Sequence, residues 1–245
     1  MLEWLPAPID PSRPHVVGFA ISWHGRIMVL AWGFLVPLGI VVARFFKITP
    51  WQNWPLKLDN KTWWRGHLAF QYAGGVATVL ALGLILLRSE VAKDSSPHRA
   101  VGWTVAGLAA VQFLAGWLRG TKGGPTAPAP DGSWFGDHYD MTRRRILFEY
   151  VHKTMGYLLI LLAAAAILTG LWVANAPVWM WVGLAAWWSA LILGFAWLQR
   201  RGYAVDTYQA IWGPDSRHPG NNLKPIGWGI RRRPQAAAAE MSRWR

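Results

Sequence analysis

The chain of 245 residues contains no cysteine. That absence excludes disulfides, thiolate zinc sites, iron–sulfur clusters and thioether-attached haem, so any metal must be held by histidine or carboxylate. Charge is scarce too. Only 15% of residues are Asp, Glu, Lys or Arg, against about 25% in ordinary soluble domains. Acidic residues are the rarer sign, 12 against 25 Lys and Arg, which leaves a net charge of +13. No Asp, Glu, Lys or Arg occurs from Thr154 to Gln199. In their place the chain is 53% hydrophobic and carries 19 Trp. A soluble helical core does not fit this pattern, because its helices would be apolar on every face.

A membrane-spanning helix needs about 20 mostly apolar residues, and five such stretches can be read. Helix A runs from Val16 to Ala43 with only His24 and Arg26 as strongly polar members, and helix B from Gly66 to Leu87. Helix C runs from Ala100 to Leu118, with Ser96 and Pro97 suited to its N-cap and first turn. Asn175-Ala176-Pro177 breaks the long uncharged run into helices D and E, joined by a tight hairpin. The expected fold is therefore an all-α integral membrane protein with five transmembrane helices. Residues 1–15 would be a short extracytoplasmic N-terminus, 16–200 the five-span domain and 201–245 a basic cytoplasmic tail. Residues 1–15 lack a basic start followed by an apolar core, so helix A is expected to serve as its own insertion signal. The C–D loop reads as irregular until about Thr142, where helix D starts as a cytoplasmic extension. The tail beyond Gly202, rich in Pro, Gly and Arg, reads as extended.

Orientation follows from the placement of Lys and Arg. The side holding the N-terminus and the B–C and D–E loops carries Arg13, Arg26, Arg88, Lys93 and Arg99; the remaining 20 of the 25 cations lie on the other side. The tail is then cytoplasmic and the N-terminus outside, and a bacterial inner membrane is the expected location. Because the basic excess is topological, no nucleic-acid partner is expected. Membrane lipid is, with Arg231-Arg232-Arg233 placed against anionic headgroups.

Of seven histidines, four fall one per helix near the start of A, B, C and D: His24, His67, His98 and His152. Consecutive spans alternate in direction, so the starts of A and C share the outer side and those of B and D the cytoplasmic side. This gives two facing pairs, His24 with His98 and His67 with His152. Ionisable groups inside a membrane are costly and usually functional. Two imidazoles from facing helices are what an iron porphyrin needs above and below its plane. Zinc would want further ligands, and a proton relay would usually bring intramembrane carboxylates, which these spans do not show. His98 and His152 each have a glycine four residues on, Gly102 and Gly156, on the same helix face, which leaves room for a flat macrocycle. The parallel extends to Gly116 and Gly170, each 18 residues beyond its histidine. Arg26, Arg65, Arg99 and Lys153 lie within two positions of the four histidines and suit anionic propionates. Interfacial snorkelling and small-residue helix packing would explain the same cations and glycines without haem.

These residues resemble the cytochrome b561 family, above all the membrane core that some members fuse to a dopamine-monooxygenase-like (DOMON) domain and that ferric-reductase-like members share. His24-Gly-Arg-Ile-Met-Val-Leu-Ala-Trp-Gly-Phe-Leu-Val-Pro-Leu-Gly39 through Ala43-Arg44 resembles the family's first core helix, and His67 with Gln71 its second. His98…Gly102 and His152…Gly156 fill the third and fourth ligand positions. The resemblance spans residues 18 to 200. It implies a bundle of the first four helices holding two haem b groups with His24, His98, His67 and His152 as iron ligands. It further implies an oxidoreductase passing electrons across the membrane. The aromatic-rich substrate motif of the animal ascorbate-dependent members is not seen.

Three functions stay open at this level. One is a transmembrane reductase delivering electrons to ferric iron or another small acceptor outside. Another is a haem-carrying subunit that exchanges electrons between a periplasmic redox protein and the quinone pool. The last is a structural or transporter-like bundle whose histidines bind nothing. A homodimer is compatible with each.

Overall fold

A computed structural model describes residues 3–86, 96–124 and 128–234. Leu87, Arg88, Lys93, Arg243 and Arg245, used above for the end of helix B and for orientation, lie outside the described residues. Five helices are long and apolar enough to cross a membrane: α1 (Phe19–Phe45), α2 (Thr62–Leu86), α3 (Pro97–Trp117), α4 (Arg143–Val173) and α5 (Val178–Arg200). Each matches one predicted span within a few residues, α4 starting at Arg143 where helix D is expected to resume near Thr142. Large apolar side chains such as Leu80, Leu161, Ile192 and Leu193 are exposed on them, the pattern of helices solvated by lipid. The chain is an integral membrane protein.

The helix starts follow from local chemistry. Pro97 opens α3, where its missing N–H costs nothing, and the Ser96 hydroxyl accepts from the Arg99 amide at 3.4 Å. Thr142 does the same for α4, accepting from the Arg145 amide at 3.3 Å. Between α4 and α5, Asn175 takes a left-handed backbone (φ 47°), which asparagine tolerates.

Tertiary packing divides the chain into two units. The first comprises Met1–Gly39, Leu68–Val111 and Tyr157–Phe195. Within it, α1 passes through a π-helical segment, Val29–Leu35. Such segments break the regular backbone ladder, and here the Gly33 carbonyl accepts from the Trp187 indole at 2.8 Å. The N-terminal segment straps the α4–α5 hairpin. The Asn175 side chain donates to the carbonyls of Asp10 and Arg13 and accepts from the Asp10 amide at 3.0 Å.

The second unit comprises Ile40–His67, Gln112–Gly156 and Ala196–Arg245. The described part of the predicted extended tail, through residue 234, is instead folded within it. Asp206 caps a short helix α6 (Thr207–Trp212), all of whose residues are buried. Tyr208, Ile211 and Trp212 pack with Trp63, Met141 and Ile226. Arg232 does not face headgroups; its guanidinium bonds the Asp206 carboxylate at 2.8 Å and the carbonyls of Gly220 and Asn221. The Pro- and Gly-rich composition did not show this, because the contacts are long-range: Tyr208 and Trp212 are buried against Trp63 and Met141, and Val205 and Ala210 against Ile48 and Trp54.

Candidate functional site: two facing histidine pairs

In the first unit, the rings of His24 on α1 and His98 on α3 face each other with centroids 6.2 Å apart and planes at 88°. Each ring is tied to the backbone of a further helix. Nδ1 of His24 lies 2.9 Å from the Ala81 carbonyl of α2, and Nδ1 of His98 lies 2.9 Å from the Ala166 carbonyl of α4. A carbonyl can only accept, so each Nδ1 carries the proton and a neutral ring keeps its lone pair on Nε2. Such an outer hydrogen bond fixes the tautomer and orientation of a metal-ligating imidazole.

In the second unit, His67 on α2 and His152 on α4 repeat the arrangement, with centroids 6.4 Å apart and planes at 83°. Phe148 stacks on the His152 ring at 5.2 Å. Trp64 lies 6.1 Å from the His67 ring and carries the Arg119 guanidinium 4.1 Å above its own. The Gln112 amide donates to the His152 backbone carbonyl at 2.8 Å, while His152 Nδ1 is buried with no hydrogen-bond partner among the described residues.

These separations bear on what could sit between the rings. An imidazole nitrogen lies roughly 2 Å from a metal it ligates and about 1.2 Å from its own ring centre, so two rings across one metal have centroids about 6.4 Å apart. Both pairs have that spacing. Among the described residues no group of three or more His, Cys, Asp or Glu could hold a bare metal ion. Each pair offers two nitrogens, the set required by iron already held in a planar macrocycle. A Cβ added at Gly102 would meet nothing within 4 Å, and one at Gly156 only the Gln112 amide at 3.5 Å. Gly102 therefore borders open space, and Gly156 leaves room only as far as an ordinary contact with Gln112.

The four cations noted in the sequence are placed differently from one another. Arg65 and Arg99 are exposed. Arg26 is exposed and stacks on Trp23 at 5.5 Å. Lys153 spends two of its three donors on the Glu149 carboxylate at 2.7 Å and the Ile226 carbonyl at 2.8 Å. Gln71 donates to the Val36 carbonyl at 3.2 Å, packing α2 against α1 rather than touching a histidine.

A buried charged group beside the second pair was not anticipated. Because α4 begins at Arg143, Glu149 lies on the same helix as His152, one turn before it. The Glu149 carboxylate also accepts from Arg145 at 3.0 Å. His138 is buried with Nε2 3.7 Å from that carboxylate, and its Nδ1 accepts from the Trp212 indole at 3.1 Å. Burial, reinforced by the Arg145 charge, holds His138 down at about 3, so it is neutral. Lys47 is buried against the carbonyls of Arg44 and Val205. Burial, with the Lys153 charge next in size, pushes it down to about 7. The Arg145–Glu149–Lys153 spacing is visible in the sequence, but nothing local marks His138, whose partners come from α4 and the tail.

Comparison with curated proteins gives consistent relatives. The chain is 29% identical to a cytochrome b561, DM13 and DOMON domain-containing protein of Arabidopsis thaliana over 60% of its own length and 14% of the relative's. A cytochrome b561 and DOMON domain-containing protein of the same plant is 26% identical over 69% of this chain and 37% of the relative. Human ferric-chelate reductase 1 is 28% identical over 60% of this chain and 22% of the relative. The chain thus spans well under half the length of these relatives. No family model matches it, and no solved structure does. The relatives are plant and animal proteins, which weighs against the bacterial inner membrane expected from the sequence. The chain is related to the cytochrome b561 family.

Proposed function

We propose that this chain is a di-haem b-type cytochrome of the membrane that relays electrons between the two faces, with His24/His98 and His67/His152 as axial ligand pairs. The observation that carries the reading is the repeated, nearly perpendicular pairing of imidazoles, with ring centroids 6.2 and 6.4 Å apart. Bound haem would supply one-electron chemistry at iron. The protein residues hold and orient it. The carbonyls of Ala81 and Ala166 keep Nε2 of His24 and His98 unprotonated, and Gly102, with nothing within 4 Å of an added Cβ, leaves the adjacent space open. Arg26, Arg65 and Arg99, with the third donor of Lys153, serve the propionates. With an imidazole from each side engaged, a haem held by these residues would have no protein-free site for substrate, and it would supply outer-sphere electron transfer.

The relatives' names support a ferric chelate as the acceptor, and the basic, folded second unit is assigned to the cytoplasmic face. Purified protein should show sharp b-type bands on dithionite reduction. In proteoliposomes it should also pass electrons from an external reductant to an entrapped ferric chelate. A spectrum without haem bands would reject the reading.

A further inference from the structure

Gly116 and Gly170 stand at the same distance from a histidine in the sequence, yet their surroundings differ. A Cβ at Gly116 would meet nothing within 4 Å. At Gly170 it would stand 2.9 Å from Cε1 and 3.1 Å from Nδ1 of His98. Gly170 lies four residues beyond Ala166, whose carbonyl receives the His98 Nδ1 proton at 2.9 Å. One turn of α4 thus presents both a hydrogen-bond acceptor and a gap, and the His98 imidazole occupies the gap edge-on to His24.

We propose that Gly170 is the positioning residue for His98, setting where its Nε2 stands relative to His24. This rests on the di-haem reading in that His98 is taken as a ligand. A methyl group at residue 170 is too close to the ring to be accommodated in place. Ordinary contact begins at 3.4 Å, so the ring would have to retreat by about 0.5 Å. Retreat from α4 stretches the bond to Ala166, and a buried imidazole N–H left without an acceptor is costly. The ring would turn or withdraw, and the pair would lose its near-perpendicular geometry.

The test uses Gly170→Ala with Gly116→Ala as its matched control. In a His67→Ala background, where the first-unit pair is isolated, Gly170→Ala should lower bound haem several-fold. Failing that, it should shift the low-spin ferric electron paramagnetic resonance signal, which reports the angle between the ligand planes. Gly116→Ala should leave both unchanged. A second readout does not depend on haem: Gly170→Ala should lower the thermal midpoint of the apoprotein, and in a His98→Ala background this loss should vanish. Unchanged haem content and signal in Gly170→Ala would overturn the proposal. So would an equal thermal loss with and without His98, or loss of both haems together from Gly170→Ala in the otherwise native chain. Were the native protein to bind no haem, the functional reading would fail, while the thermal cycle would still decide whether Gly170 acts through His98.

Discussion

The imidazoles of His24 and His98 stand nearly perpendicular, at 88°, each anchored through Nδ1 to a backbone carbonyl of a helix that supplies neither ring. Four helices therefore contribute to one site: α1 and α3 give the rings, α2 and α4 the acceptors. Helix backbone moves little, so a ring bonded to it is better defined than one packed on flexible side chains.

The two pairs share no ligand and lie in different packing units, which makes them separable. His67→Ala should remove one haem and spare the other, leaving about half the haem and abolishing electron transfer across proteoliposomes. Haem quantification with difference spectra checks this. Equal loss at both sites would mean that the pairing is wrong.

His138 makes stability depend on pH. Its folded value near 3 lies below the ordinary 6.5, so between those limits the unfolded chain binds more protons. Stability is full above about 6.5 and falls as the pH drops, by up to about 1.4 kcal/mol per pH unit for this group. In detergent, the thermal midpoint should fall between pH 6.5 and 5. His138→Gln keeps an acceptor for Trp212 but does not titrate, and should flatten the slope. Identical slopes would assign the effect elsewhere.

Arg232 binds inward, and its removal should act on stability. Arg232→Ala leaves the Asp206 carboxylate, 4% exposed as a residue, without its ion-pair partner. A loss of about 3 kcal/mol is expected, the lower end for breaking a buried pair. Thermal unfolding in detergent, with and without anionic lipid, measures it. A variant that is neutral in detergent and defective only with anionic lipid would restore the headgroup role.

The tail should be cytoplasmic. A reporter joined at Arg245 that fluoresces only in the cytoplasm should be active. Silence of that reporter, together with activity at Arg245 of one that works only on the opposite face, would overturn the assignment.

Much of this was legible because membrane insertion imposes coarse rules. About 20 apolar residues per span, charge gaps and one histidine per helix sufficed to pair His24 with His98 and His67 with His152. The unread parts depend on contacts that leave no periodic trace. The Ala81 and Ala166 carbonyls are backbone groups available at any residue type. Gly116 and Gly170 have equal spacing, and only the direction of the helix face separates them. Glu149 falls in the stretch expected to extend helix D into the cytoplasm, and nothing local in the sequence marks it as buried. The folded tail was missed because α6 is a single short helix stabilised by residues from two distant loops.

Cofactor stoichiometry in the purified native protein tests the central claim most directly. Pyridine haemochrome analysis against quantified protein should give two haem b per chain, extractable by acid acetone because no cysteine can tether them. One haem per chain, or none, would contradict the account.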